Sequence, residues 1–186
     1  VFKRNSLAPF TTSTLQQTSS GRLGFGASRT MQIAQRLYQG IDIEGDTVGL
    51  ITYMRTDGTN ISKDAVSEFR KFIMNTYGDN YLPVEPNNFS GKKAKNAQEA
   101  HEAIRPTDVL RTPASIKNFL SNDQIKLYDL IWSRAVSSQM EVAKFDRKTI
   151  TIMSLDEKSQ FKCSGSTIKF DGFLKLTRVD DVDEKI

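Results

Sequence analysis

Tyr53, Arg55 and Asp57 stand at alternate positions in the run Ile51-Thr52-Tyr53-Met54-Arg55-Thr56-Asp57. In an extended backbone they face the same way. A phenol that gives up its proton is a nucleophile, and a guanidinium beside it balances charge on phosphate oxygens, so the trio suits covalent phosphoryl transfer through Tyr53. A free phenol titrates near ~10, so cationic neighbours are needed to favour the phenolate or absorb its developing charge. Arg55 meets that need while also clamping phosphate oxygens. The same residues also fit a plain structural role, with a tyrosine packing a half-buried strand face beside a solvated arginine. The rest of the chain has to decide between them.

The elements that must hold this trio can be read from periodicity. Val48-Gly49-Leu50-Ile51-Thr52 reads as a mostly buried strand with Tyr53 at its end, entered through a polar turn from Asp42 to Asp46. Before it, Ser28 is a candidate cap for a helix carrying Met31, Ala34, Leu37 and Tyr38 on one side and stopping at Gly40. After it, Ser62 caps an amphipathic helix with Asp64 in its first turn and Val66, Phe69 and Ile73 as its stripe. Tyr77 to Lys95 is a long loop whose Lys92, Lys93 and Lys95 can reach phosphate or simply lie in solvent. A short helix is expected over Asn96 to Ile104 and a turn at Pro106. Asn122 opens a last helix that offers Ile125, Tyr128, Leu130, Ile131 and Trp132 for burial.

From about Phe145 the period becomes two. Thr149 to Met153, Gln160 to Cys163 and Thr167 to Phe170 read as three short strands separated by turns. A boundary near residue 141 follows, and the first twenty residues are expected to return to the strand-rich part.

Composition narrows the classes. With 186 residues, 38% hydrophobic and 26% charged, the chain can build a genuine core, and it lacks an apolar run long enough for a membrane helix. Val1 in place of an initiator Met suggests a piece of a longer protein. One cysteine, Cys163, and one histidine, His101, exclude an internal disulfide and a Cys/His zinc set, and point to a reducing compartment. The net charge of +4 says little, but its distribution says more. Lys3, Arg4, Arg22, Arg29 and Arg36 precede residue 42 with no carboxylate among them. Around Thr11-Thr12-Ser13-Thr14-Leu15-Gln16-Gln17 that bias favours a polyanion, with hydroxyls, amides and helix-start N–H groups as backbone contacts. The competing reading is a polar surface whose hydroxyls cap helices.

The lone histidine lies in Gln98-Glu99-Ala100-His101-Glu102-Ala103-Ile104-Arg105-Pro106-Thr107. If the expected helix reached Arg105, His101 and Arg105 would share a face, although Pro106 disfavours helical geometry there.

Three blocks in this order, Pro9 to Gln17, Tyr53 to Asp57 and His101 to Thr107, resemble the signature blocks of type IA DNA topoisomerases, in the wording of the bacterial topoisomerase I branch. The resemblance implies that Tyr53 is the nucleophile, which joins the 5′-phosphate of one DNA strand while a 3′-hydroxyl leaves. It implies that Arg55 holds the scissile phosphate and that His101 works with Asp57 in a hydrogen-bond network to a phosphate. Glu102 and Arg105 take supporting roles. Thr12, Ser13, Thr14, Gln16, Gln17 and Arg22 are the expected DNA contacts. The implied fold is α+β: a mainly helical domain carrying the tyrosine, residues 21–141, inserted into a strand-rich arch made of residues 1–20 and 142–186. The implied activity is ATP-independent relaxation of negatively supercoiled DNA in a bacterial cytoplasm, and no phosphate-cradling Gly-Lys-Ser/Thr loop is present.

Departures from the family bound these expectations. Nothing resembles the acidic cluster of the family's Toprim domain, so Mg2+ is expected to be held outside this chain, with the Toprim domain as partner and no metal ligand here. The zinc-ribbon or basic repeats of many members are also missing. Gly58 replaces a Ser common in relatives and is expected to loosen the turn after the site; the insert Gly40 to Gly49 lengthens the approach to it. The segment alone is therefore expected to be weak or inactive in cleavage. The rivals are a non-catalytic single-stranded DNA-binding module and a structural hinge. A metal-dependent nuclease has too few ligands to hold an ion.

Overall fold

The computed structural model describes residues 1–89 and 101–177. Lys92, Lys93, Lys95 and the expected start of a helix at Asn96 lie outside them. Helices and strands are mixed, with a helical cluster in the middle and a small sheet built from the two ends.

Local signals start and stop the helices. Thr11 caps α1 (Thr12–Leu23) by a reciprocal box with Thr14, and Gly24 ends it at φ +68°. The cap of α2 (Ala27–Gln39) is Gly26, so Ser28 lies inside its first turn and is not the cap expected from sequence. Ser62 caps α3 (Lys63–Tyr77) as expected, accepting the Ala65 N–H. Thr112 starts the one-turn α4 (Pro113–Ile116), and Ser121 with Gln124 forms the box of α5 (Asn122–Ser138).

Leu15, Ile33, Leu37, Leu50, Met54, Phe69, Ile73, Ile104, Leu127 and Ile131 join one continuous core. Fully burying each such side chain contributes about 1.5–3 kcal/mol before the entropy of ordering it is subtracted. Two polar tips on α5 are satisfied in passing: Tyr128 donates its hydroxyl to Arg111 O at 2.7 Å, and Trp132 its indole N–H to Val109 O at 3.0 Å. Both bonds hold the chain just beyond the His101 block.

The sheet differs in detail from the sequence expectation. β1 (Phe2–Arg4), β4 (Ala143–Met153) and β5 (Gln160–Phe170) pair antiparallel in the order β1-β4-β5. The two short strands expected over residues 160–163 and 167–170 are one strand, because Ser164-Gly165-Ser166 continues the ladder opposite Arg147 to Thr149. Phe2 and Phe145 stack at 5.0 Å where β1 meets β4, with the Arg4 guanidinium 5.0 Å from the Phe145 ring centre. Helix α1 runs across residue 20 and contacts α2 and α5.

The stretch from Asp42 to Asp46 is a hairpin, not a simple polar turn. β2 (Ile41–Ile43) pairs with β3 (Asp46–Val48), and Glu44 and Gly45 take φ of +55° and +93° at its tip. Two successive positive φ values are what a tight two-residue hairpin requires. β3 ends at Val48, so of the strand expected over Val48 to Thr52 only the first residue is in one.

Candidate active site

The residues from Leu50 to Asn60 form a loop with both feet on the segment 101–107. At the first foot, Thr107 N–H donates to Leu50 O at 3.0 Å and Thr52 N–H to Arg105 O at 2.9 Å. The Thr52 hydroxyl adds a bond to Ala103 O at 2.7 Å and accepts the Arg105 N–H at 3.0 Å. At the second foot, Ala103 N–H donates to Asn60 O at 2.8 Å. On its other side, Ile104 N–H donates to Phe10 O at 2.9 Å. Residues 101–107 are therefore extended, which overturns the helix expected to reach Ile104. Pro106 supplies one reason, since it biases Arg105 away from helical geometry, and the bridges of Glu102, Ile104 and Pro106 to three other segments supply the rest. His101 and Arg105 consequently do not share a helical face.

Between the feet, Tyr53, Arg55 and Asp57 are exposed while Met54 is only 1% exposed. The alternation foreseen from sequence thus survives without a strand, because Met54 plugs the core and turns its neighbours outward. The loop is clamped from above by Thr12. Its hydroxyl lies 2.7 Å from Met54 O and 3.1 Å from Thr56 O, and it accepts the Thr56 N–H at 2.8 Å. Thr12 N–H also donates to Thr56 O at 2.9 Å. The start of α1 is therefore fastened to the residue after Arg55.

Gly58 tightens this junction, contrary to the loosening expected of it. A Cβ there would lie 1.6 Å from His101 O, so only a glycine allows the two backbones this approach. Gly58 N–H donates to the Thr56 hydroxyl at 3.0 Å. The residue after Asp57 thereby lies against the backbone of His101.

Glu102 and Arg105 brace the His101 segment. Glu102 accepts Arg105 Nε at 2.6 Å and Nη2 at 3.2 Å, and also the N–H of Ser62, the cap of α3, at 2.9 Å. Burial alone would raise the Glu102 pKa, but the Arg105 guanidinium and the Ser62 N–H outweigh it and hold the carboxyl below the ordinary glutamate value of 4.5. A folded pKa below the unfolded one stabilises the fold above pH 4.5, and that increment is lost as pH falls through the lowered value. Glu102→Gln is expected to cost about 1–2 kcal/mol at neutral pH. Urea titrations at pH 7 and pH 3 check this, because the difference between the two chains should shrink at the lower pH.

The remaining candidates are placed as follows. Ser13, Gln17 and Arg22 are exposed on α1 and Gln16 is half-buried, while the Thr14 hydroxyl serves the helix cap. His101 is exposed. Among the described residues, the side chains of Arg55, Asp57 and His101 form no hydrogen bond or ion pair with the protein. Arg29 pairs with Asp123 and Arg4 stacks on Phe145, so part of the early basic bias serves the fold. Sequence reading missed two contacts at the site: the Thr12 clamp, since a threonine at a helix start signals only capping, and Tyr38, whose ring meets that of Tyr53 at 5.3 Å.

Among the described residues, no three His, Cys, Asp or Glu side chains gather closely enough to hold a metal ion. No helix there is long and apolar enough to cross a membrane.

The three segments that converge here are the Phe10 to Thr14 region, the Tyr53 loop and the His101 strand, about fifty residues apart in sequence, and the comparisons agree on what carries them. A family model described as DNA topoisomerase matches residues 2–186. DNA topoisomerase 1 of Rickettsia felis is 51% identical over 98% of this chain and 24% of its own length. DNA topoisomerase 1 of Helicobacter pylori is 46% identical over 95% of the chain and 24% of its own length. The solved structure of full-length topoisomerase I from Thermotoga maritima superimposes with a TM-score of 0.84 at 37% identity, covering all of this chain and 29% of that one. The chain belongs to the type IA DNA topoisomerases. It spans about a quarter of the length of the curated relatives it matches.

Proposed function

We propose that this segment carries the nucleophile of a topoisomerase that cuts and rejoins one DNA strand to relax negative supercoils. The observation that carries the reading is the exposed Tyr53-Met54-Arg55-Thr56-Asp57 loop, anchored at three backbone positions beside the His101 strand. The Tyr53 phenol oxygen forms a bond to phosphorus as the bond from phosphorus to the 3′ oxygen breaks. The proton lost by the phenol is balanced by one gained at the departing 3′ oxygen. One phosphodiester replaces another, so the 5′-phosphotyrosyl link retains the bond energy and rejoining needs no ATP.

Arg55 is free to hold the scissile phosphate. The N-terminal end of α1, with no acidic residue in its first turn, adds partial positive charge beside the loop. Asp57 and His101 are assigned the network to a phosphate, a reading supported by the close backbone approach of Gly58 to His101, and Glu102 with Arg105 keeps the His101 strand in place. Ser13, Gln17 and Arg22 extend the DNA-facing surface along α1, with Gln16, the loop-clamping Thr12 and the capping Thr14 at its margin.

In this reading residues 21–141 are the mobile helical domain, and residues 1–20 and 142–186 belong to the arch that hinges it. The Toprim domain and its Mg2+ lie elsewhere in the whole protein, which works on DNA in the cytoplasm. The segment alone then cleaves weakly or not at all.

A chimaera tests the proposal, with this chain replacing the matching quarter of the Rickettsia felis enzyme. Incubated with a single-stranded oligonucleotide labelled on the 5′ side of each cut and then on the 3′ side, it should yield a protein adduct bearing only the 3′-side DNA, on Tyr53. An adduct on another residue, or relaxation without one, overturns it.

A further inference from the structure

We infer that Tyr38 is a positioning residue for the Tyr53 nucleophile, an inference that rests on Tyr53 acting as proposed above. The loop anchors hold the backbone at Thr52, Met54 and Thr56, and none of them touches the phenol ring. That ring stands 49% exposed, and its aromatic contact among the described residues is Tyr38, with centroids 5.3 Å apart and planes at 62°. An edge-on pair at this distance is the arrangement the ring quadrupoles favour.

Tyr38 carries a ring that is itself 41% exposed, on a backbone held at a helix end. It sits in the last turn of α2, beside Leu37, which is fully buried and accepts the Leu50 N–H at 2.8 Å. Gly49 passes so close beneath the helix end that a Cβ on it would lie 2.8 Å from Tyr38 O. The β2–β3 hairpin therefore leaves α2 after Gly40 and returns to the same helix end, where it delivers Tyr53 onto Tyr38. The hairpin lengthens the path without separating the two rings.

In-line attack requires the phenol oxygen within about 3–3.5 Å of phosphorus along one direction, and a half-exposed ring with no wall samples many others. Tyr38 narrows the side-chain rotation of Tyr53 and makes no contact with the reacting atoms. Its ring, not its hydroxyl, does this.

The test uses Tyr38→Ala and Tyr38→Phe in the chimaera described above. Single-turnover cleavage of a labelled oligonucleotide at saturation is expected to slow on the order of tenfold in Tyr38→Ala. Phe at the same position recovers most of the rate, and the Kd for the oligonucleotide stays within about twofold. In the 186-residue chain labelled with 3-fluorotyrosine, the fluorine line assigned by its loss in Tyr53→Phe should move in Tyr38→Ala and hold in Tyr38→Phe. A weakened Kd with an unchanged rate at saturation overturns the inference and makes Tyr38 a DNA contact. A Phe variant as slow as the Ala variant overturns it in favour of the hydroxyl, and an unmoved fluorine line overturns it outright. If the unsubstituted chimaera forms no adduct, the proposed function fails instead, while the fluorine line still reports whether Tyr38 sets the ring.

Discussion

Tyr53→Phe is expected to abolish covalent capture of DNA and relaxation by the chimaera, with a loss of at least about four orders of magnitude in rate, as removal of an activated nucleophile does elsewhere. The substitution deletes one oxygen. Among the described residues that oxygen has no hydrogen-bond partner in the protein, and the ring retains its edge contact with Tyr38. Thermal unfolding should therefore shift by no more than a surface substitution allows, about 0.5 kcal/mol. A variant that binds single-stranded DNA with unchanged salt dependence yet forms no adduct separates catalysis from binding. A variant that still relaxes supercoiled DNA would return the segment to the class of binding or hinge modules.

Thr12→Val should damage the same loop from a distance. Valine matches the shape of threonine but cannot take the Thr56 N–H or donate to the Met54 and Thr56 carbonyls. A hydroxyl has one proton, so the donation is shared, with the 2.7 Å contact to Met54 O the shorter. Leaving the half-buried Thr56 N–H without its partner adds a desolvation cost, and the sum is about 2–3 kcal/mol. Met54, 1% exposed, still holds its place in the core, so the loop should loosen rather than unfold. The measurable result is a lower midpoint in urea together with slower cleavage at saturating DNA. Unchanged cleavage with the same loss of stability would show that the clamp serves the fold alone. Thr12 was expected to contact DNA; the fold engages its hydroxyl in the clamp.

Helices α2, α3 and α5 were legible because capping and periodicity are local, whereas α1 lies mostly in the stretch expected to join the strand-rich part. Ser62 and the stripe of Val66, Phe69 and Ile73 need only neighbours three or four positions away to act. The cap of α2 was misplaced by two residues because Gly26 carries no side-chain signal. Two larger differences have one cause. The strand expected through Thr52 and the helix expected through Ile104 were judged on their own sequence patterns, whereas the two segments pair with each other and the second also pairs with Phe10. Backbone hydrogen bonds between segments fifty residues apart leave no period in either one.

The site divides in the same way. Sequence alone determined the chemical types: a tyrosine two positions from an arginine and four from an aspartate, a single histidine farther on, and a hydroxyl-rich start without carboxylates. It determined the outward alternation as well, because Met54 is the strongly apolar residue between Tyr53 and Arg55 and must be buried. Only the tertiary structure decided that Thr12 grips the loop, that Gly58 lies against His101, and that Tyr38 stands beside Tyr53. Those contacts depend on where chain segments meet, and segments meet where burial and hydrogen bonding are satisfied for the whole core at once.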